Sequence, residues 1–321
     1  MSSVMPSSLS FVDIGANLLD ERFTDGIYNG KVRHEPDWDQ VLQRAVDNGV
    51  THIILTAGTL RESRRALDLV RELRQKNDTL YFGCTIGVHP TRCTQEFVDI
   101  DVDAEQVLEE LQKLAIDGQD DKSVVAIGEI GLDYDRLQFC SKPVQQEYLE
   151  RQLVCFQSAS ELENLPLFLH NRNVSSDLLE VLRKDTRRQR GVVHSFDDTL
   201  ELALQFIDLG LYIGLNGCSL KTSENLEVAK ALPLDKILLE TDCPYCEIKQ
   251  SHAGFGFLST KFEKKADKKF ESGKMVKGRN EPCQIIQVAE VIAGIKGISV
   301  QEVADACYEN SLRLYGFGSN Q

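Results

Sequence analysis

The 321-residue sequence lacks the marks of a membrane or secreted protein. No apolar run approaches the roughly 18 residues that a membrane-spanning helix needs. The first ten residues contain no basic segment followed by an apolar one, which is the pattern of a secretory signal. We therefore expect a protein of the cytoplasm or nucleus that is neither secreted nor attached to a membrane.

Positive charge is also scarce, because 36 Lys and Arg residues face 50 Asp and Glu residues, for a formal net charge of -14 at pH 7. A protein that coats nucleic acid is normally basic, so the composition disfavours that class. An enzyme that binds a few phosphates at one site remains compatible, since a metal ion and a local basic patch can supply the attraction. The alternative is that the acidity only keeps the protein soluble.

The cysteines lack the spacing of a zinc ribbon or a disulfide framework. There are nine, an odd number, and only Cys243 and Cys246 form a CxxC pair. A ribbon needs two such pairs, and a disulfide framework normally uses an even number. We therefore expect reduced thiols.

Eight short apolar runs, most of them apolar nearly throughout, recur along the chain. Such runs are typical of parallel strands that are buried on both faces. They are Phe11–Leu18, Thr51–Gly58, Leu80–His89, Val124–Asp133, Leu165–Arg172, Gly191–Phe196, Leu211–Gly217 and Ile237–Pro244.

Stretches with helical periodicity separate these runs. A strand followed by a helix, repeated about eight times, predicts a (β/α)8 TIM barrel. The competing fold is a doubly wound open sheet, but no GxGxxG follows the first run. We expect one hydrolase-type barrel domain over residues 10–317, a disordered tail at residues 1–9 and a second tail at residues 318–321.

Polar residues stand at the ends of most predicted strands. In a (β/α)8 barrel these ends converge on one mouth, where active sites lie. The residues that can bind a metal, handle a proton or contact an anion are Asp13, Asn17, His89, Glu129, Asp133, His170, Arg172, His194, Glu240 and Asp242.

Taken singly, these residues have ordinary structural explanations. His170 or His194 alone is more often a core histidine, Glu129 could pair with Arg172, and Asp242 could cap a helix or turn. Their coincidence at equivalent strand ends favours a metal site instead, because apolar strands rarely carry buried polar groups without a partner.

The residue types then suggest roles. We expect Glu129, His170, His194 and Asp242 to bind one or two divalent cations, since imidazole and carboxylate suit Mg²⁺, Mn²⁺ or Zn²⁺. In this scheme Glu129 bridges the ions and Asp242 also accepts a proton from the attacking water. His89 completes the expected catalytic set. Substrate contacts are expected from His89, Arg172 and Asn17.

The chain resembles the TatD family of metal-dependent deoxyribonucleases. From Asp13 to Pro282 it carries, in the family's order, DIGANL, GVHP, AIGEIGLDYDR, FLHNR, VVHSF, YIGLNG, LLETDCPY and RNEP. The resemblance implies an amidohydrolase-like TIM barrel that hydrolyses DNA, often as a 3′-to-5′ exonuclease. It also implies metal ligands at Glu129, His170, His194 and Asp242, and a site histidine at His89.

One motif departs from the common family pattern. Many relatives begin with Asp-x-His-x-His, whereas this chain has Asp13 and Asn17 in the Asp-x-Gly-x-Asn pattern of one branch. With both histidines missing, the first metal has fewer protein ligands. The change favours an oxygen-preferring ion such as Mg²⁺ over tightly held Zn²⁺.

Other functions stay open at this point. The rivals are a hydrolase of a small substrate, a barrel that binds nucleic acid without catalysis, and a Cys243 nucleophile that lacks an evident histidine partner. The lysine-rich segment Lys261–Arg279 tilts the choice towards DNA, preferably single strands or ends, although it could be a solvated loop. We expect a monomer with no obligate protein partner.

Overall fold

The computed structural model describes residues 9–184 and 190–317, in which eight parallel strands form a barrel. Each strand pairs with the next one along the chain. The predicted (β/α)8 fold is therefore confirmed, and each apolar run matches one strand, although the second strand begins at Val50, one residue before its run. In chain order they are β1 (Phe11–Ala16), β2 (Val50–Leu55), β3 (Tyr81–Ile86), β4 (Val124–Asp133), β5 (Leu167–Arg172), β6 (Gly191–Val193), β7 (Tyr212–Leu215) and β8 (Ile237–Leu239).

Backbone hydrogen bonds between the ends of β1 and β8 close the barrel. The amide of Asp242 donates to the carbonyl of Gly15 at 2.9 Å, and the amide of Asn17 donates to the carbonyl of Cys243 at 2.8 Å. Ala16 and Cys243 form a parallel bridge at the same seam. The loops after the first and last strands are thereby held together at the mouth.

Helices cover the outside of the barrel, and local capping fixes where several of them begin and end. Thr59 caps one helix by accepting a hydrogen bond from the amide of Glu62, and Ser299 forms a capping box with Glu302. Gly297 ends another helix in the left-handed region, at φ 70°. The longer helices are α1 (Trp38–Asp47), α2 (Leu60–Lys76), α3 (Ala104–Asp120), α4 (Lys142–Gln157), α5 (Ser175–Lys184), α6 (Leu200–Asp208), α7 (Ser223–Ala231), α8 (Ile285–Lys296) and α9 (Val300–Tyr315).

Shorter elements lie in the connections. A four-residue helix spans Glu21–Thr24, and a single π-helical turn spans Thr94–Val98. Two pairs of two-residue strands join Ile27–Tyr28 to Lys31–Val32 and Lys264–Lys265 to Met275–Val276.

The apolar core has two parts. The larger part lies between strands and helices, and the smaller part joins alternate strand residues such as Val12, Ile54 and Phe168 to the end of the chain at Leu314 and Phe317. Alternation along the strands therefore divides their side chains between the barrel interior and the helical layer. The amino-terminal end of the barrel is filled by apolar side chains, which leaves the opposite mouth for polar ones.

Both expected tails fall largely outside the described structure. Residues 1–8 and 318–321 lie beyond the described ranges, whereas Leu9, which we had assigned to the tail, is half-buried against the core.

No single helix in the described ranges is both long and apolar enough to cross a membrane. Pro282–Lys296 and Val300–Tyr315 meet that test only as a pair, with a bend of 115° between them.

A histidine packs among aromatic rings at the amino-terminal end of the strands. His52 stacks on Phe317 with ring centroids 4.8 Å apart, and the rings of Tyr81 and Tyr308 lie at 5.2 and 6.0 Å. Burial lowers the pKa of His52 to about 4. The folded state therefore holds this imidazole neutral where an unfolded chain would protonate it.

We expect His52 to make the fold less stable as the pH falls from 6.5 to about 4. In that window the unfolded chain binds more protons than the folded one, so acid favours unfolding. After discounting for partial exposure, the expected loss is on the order of 2 kcal/mol relative to His52→Phe. Urea denaturation of both proteins at neutral pH and near pH 4.5 measures this, and equal pH dependence would contradict it.

Candidate metal centre and active site

Three buried side chains from neighbouring strands converge at the mouth. An oxygen of Glu129, on β4, lies 2.6 Å from Nδ1 of His170, on β5, and 2.7 Å from Nε2 of His194, just after β6. The two imidazole nitrogens are 3.1 Å apart. One carboxylate and two imidazoles at this spacing form a donor set that fits a divalent cation. The structure thus brings together three of the four predicted metal ligands.

Opposite charges offset the burial of this cluster. Burial alone would raise the pKa of Glu129, but electrostatic interactions with His194 and His89 and hydrogen bonds from His170 and His194 hold it well below the usual range. Burial opposes protonation of His194, yet Glu129 and Glu240 raise its pKa well above the usual range. Metal binding requires unprotonated imidazole nitrogen, so a cation would compete with protons here.

Two further acids hold the outer nitrogens of the imidazoles. An oxygen of Glu240 lies 3.6 Å from Nδ1 of His194, and an oxygen of Asp133 lies 3.2 Å from Nε2 of His170. Carboxylates in this position fix the ring orientation and increase the basicity of a ligating histidine. Both acids lie at predicted strand ends, but their sequence pattern indicated no specific role for them.

Glu240 is itself held firmly on one side only. Its Oε1 accepts hydrogen bonds from the amide of Ser195 at 2.7 Å and from the side chain of Asn216 at 2.9 Å. Its Oε2 is buried and has no hydrogen-bond partner among the described residues. The acid is therefore oriented towards His194 by neighbours that follow β6 and β7.

His89 also reaches the cluster. Its Nε2 lies 3.5 Å from Glu129, and its ring meets that of His170 edge to face with centroids 4.4 Å apart. Burial lowers the pKa of His89 to about 3, so the ring is neutral. Since its Nδ1 accepts a hydrogen bond from the amide of Thr91 at 3.2 Å, we assign the proton to Nε2, which faces the site.

Asp242 follows β8 and is partly exposed. Its Oδ1 accepts a hydrogen bond from Asn17 at 2.8 Å, and its Oδ2 accepts one from the thiol of Cys246 at 3.2 Å. Burial raises the pKa of Asp242 to about 6. Among the described residues, Asp242 is not part of the close cluster around Glu129, so its role as a ligand and proton acceptor stays a prediction.

The side chain of Asn17 connects Asp242 to Thr56, which follows β2. Its Nδ2 donates a hydrogen bond to Asp242, while its Oδ1 accepts one from the hydroxyl of Thr56 at 2.6 Å. Both ends of this amide are therefore engaged in positioning Asp242. The predicted substrate contact of Asn17 stays a prediction.

Arg172 pairs differently from one of our expectations. Its Nη1 lies 3.5 Å from Asp133, so the alternative in which Glu129 forms a buried salt bridge with Arg172 is wrong. The side chain is 31% exposed. It therefore retains donors for an anion at the mouth, in line with its predicted contact with a phosphate.

Two other residues at the mouth have structural roles. Asp13 is buried and accepts hydrogen bonds from the amide and hydroxyl of Thr241 at 2.9 and 2.6 Å, which ties β1 to the end of β8. Burial raises the pKa of Asp13 to about 7. Cys243 is fully buried, and burial raises the pKa of its thiol well above the usual range. A thiol that is fully buried cannot reach a substrate, so the alternative in which Cys243 is the nucleophile is wrong.

The lysine-rich segment is partly neutralised by its own neighbours. Arg279 is fully buried between Asp37 and Glu281, at 2.7 and 2.9 Å, so it cannot contact phosphate as we expected of the segment's cations. Three lysines form ion pairs with acids, namely Lys264 with Glu247, Lys265 with Glu271 and Lys274 with Glu263. In the described ranges the remaining cations have no ion pair; they are Lys261, Lys268, Lys269 and Lys277.

Comparison with known proteins assigns the family. The family model described as TatD related DNase matches residues 12–316. The chain belongs to this TatD family. A relative in Schizosaccharomyces pombe, named deoxyribonuclease Tat-D, is 43% identical over 311 residues, which cover 96% of each chain.

Other relatives match most of the chain, either in sequence or in structure. The Escherichia coli protein named uncharacterized metal-dependent hydrolase YcfH is 31% identical over 282 residues, or 87% of this chain and 88% of that one. The crystal structure of a TatD family hydrolase from Entamoeba histolytica has a TM-score of 0.87 at 40% identity and covers 96% of this chain and 98% of that one. With the cluster of Glu129, His170 and His194 intact, this TatD chain is a metal-dependent hydrolase.

We expect Glu129→Gln to weaken Mn²⁺ binding by more than about 100-fold, because it removes the negatively charged ligand that lies between His170 and His194. Isothermal titration calorimetry with Mn²⁺ measures the affinity. Glu290→Gln is the matched control, since this buried carboxylate bonds Ser259 and Thr260 away from the cluster. Equal affinities for all three proteins would rule out the proposed centre.

Proposed function

We propose that this chain is a divalent-metal-dependent deoxyribonuclease that hydrolyses DNA phosphodiester bonds from the 3′ end. The observation that carries the proposal is the buried cluster of Glu129, His170 and His194 at the barrel mouth of a TatD family chain. A 3′-to-5′ exonuclease also agrees with the family resemblance of the sequence motifs.

In the proposed reaction each residue has a task set by its position. Glu129, His170 and His194 would hold a cation, which when bound would lower the pKa of water and polarise the phosphate. Asp242, oriented by Asn17 and Cys246, accepts the proton of the attacking water. The Nε2 proton of His89 and the guanidinium of Arg172 orient the phosphate oxygens.

Mg²⁺ is the proposed working ion, bound as one or two ions per chain, with Mn²⁺ and Zn²⁺ as alternatives. Support comes from β1, which offers no imidazole to the mouth. Its acid, Asp13, accepts hydrogen bonds from Thr241, and the side chain of Asn17, just after β1, is hydrogen-bonded to Asp242 and Thr56. A site with few nitrogen ligands suits an ion that prefers oxygen and keeps several waters.

DNA is preferred to a small substrate on two grounds. The Schizosaccharomyces pombe relative is named a deoxyribonuclease, and four lysines of the segment after β8 have no ion pair in the described ranges. Cationic side chains beside the mouth would neutralise phosphates of a bound strand. A non-catalytic barrel is disfavoured because the acid and imidazole donors are all retained.

We further propose that the protein acts as a monomer in the cytoplasm or nucleus. All nine cysteines lie in the described ranges, and none forms a disulfide. Free thiols agree with a reducing compartment.

The direct test uses DNA with a label on the 5′ or 3′ end, single- or double-stranded, with Mg²⁺, Mn²⁺ or EDTA. We expect the 5′-labelled strand to give a ladder that needs metal, because cleavage starts at the 3′ end. Glu129→Gln should lose the activity by more than about 100-fold, whereas Glu290→Gln should retain it. A ladder only from the 3′ label would overturn the direction. No cleavage by a protein that still binds metal would favour a small-molecule hydrolase.

A further inference from the structure

An exposed tyrosine stands beside Asp242 at the mouth of the barrel. Tyr245 follows Asp242 by three residues, and its backbone amide donates a hydrogen bond to the Asp242 carbonyl at 2.9 Å. The side chain is 51% exposed, which is unusual for a large ring that is otherwise well held. Exposed aromatic rings next to a reactive site are candidates for ligand contact.

The ring is held in place from one side. Its hydroxyl donates to Asp20 at 3.0 Å, and the guanidinium carbon of Arg22 lies 4.5 Å from the ring centroid. Arg22 is in turn fixed by two hydrogen bonds to Asp20, at 2.8 and 2.9 Å. We call Asp20, Arg22 and Tyr245 the tyrosine platform.

This arrangement orders the ring without burying it. The guanidinium lies over the ring and Asp20 holds the hydroxyl, yet about half of the residue surface stays exposed. Because the ring is already ordered, a flat ligand that stacks on it loses little conformational freedom of the protein. Every nucleobase has such a flat face, and stacking on aromatic side chains is the usual way in which single strands are held.

The tyrosine platform is also coupled to the predicted catalytic carboxylate. Asp20 and Arg22 follow β1 in the same loop as Asn17, which donates to Asp242. The loop after β1 therefore positions both Asp242 and the ring of Tyr245. A strand whose phosphate lies at Asp242 would have an adjacent nucleotide within reach of the platform.

We propose that the exposed ring of Tyr245 stacks on an unpaired nucleobase next to the scissile phosphate, and that this contact is what selects single-stranded or frayed DNA ends. A base inside a duplex is stacked on both faces and offers neither to the ring. This inference rests on the proposed deoxyribonuclease function and adds the feature of the substrate that is recognised.

The test compares wild type with Tyr245→Ala on two single strands, one with all bases and one with an abasic nucleotide at the 3′-terminal position. We expect Tyr245→Ala to raise KM for the intact strand by about 5- to 100-fold and to leave KM for the abasic strand within about twofold. Tyr245→Trp should restore the preference, because it restores a stacking face. Phe257→Ala is the control, since Phe257 is also partly exposed but packs against Gly294 of α8.

A binding measurement separates this inference from the proposed function. A strand with 2-aminopurine at its 3′ end should lose fluorescence on binding to wild type and to Glu129→Gln, and much less with Tyr245→Ala. Absence of quenching by wild type, or equal quenching by Tyr245→Ala, would overturn the platform whether or not DNA is cleaved. Equal loss of activity on intact and abasic strands would instead show that Tyr245 only positions Asp242. Absence of cleavage with quenching retained would reject the nuclease alone.

Discussion

The whole site depends on keeping the carboxylate of Glu129 charged inside the barrel. An isolated buried carboxylate is strongly disfavoured, so it persists only where partners replace its hydration. Here the partners are His170 and His194 at hydrogen-bond distance and His89 slightly farther away. The same arrangement that stabilises the charge presents one oxygen and two nitrogens to a single point. The histidines that stabilise the buried charge of Glu129 are therefore the same residues that, with Glu129, can bind a cation.

The seam between β1 and β8 provides the second requirement. Asp13 joins the two strands through Thr241, and Asn17 joins their loops through Asp242. Closing the barrel in this way places the partly exposed carboxylate of Asp242, and three residues later Tyr245, just after β8. Asp13 of β1 and Asn17, just after it, thus position the residues that follow β8.

The sequence predicted the barrel and the three clustered ligands because both follow from local patterns. Buried parallel strands read as apolar runs, and their carboxyl ends must meet. Pairings between distant residues were not readable in the same way. Asp133 and Glu240 contact the outer nitrogens of the imidazoles, but the sequence indicated them only weakly, as further carboxylates close in sequence to Glu129 and Asp242. The burial of Arg279 among acids, and the pairing of Arg172 with Asp133, depend on side-chain packing that no local pattern encodes.

The roles assigned to Glu129, His170 and His194 can be tested by diffraction from crystals soaked with Mn²⁺, recorded at the manganese absorption edge. If these side chains hold the ion of the hydrolase, we expect an anomalous peak in contact with all three, with any second peak beside Asp242. A protein whose bound Mn²⁺ lies only elsewhere, for instance at the thiols of Cys218 and Cys246, would contradict these roles.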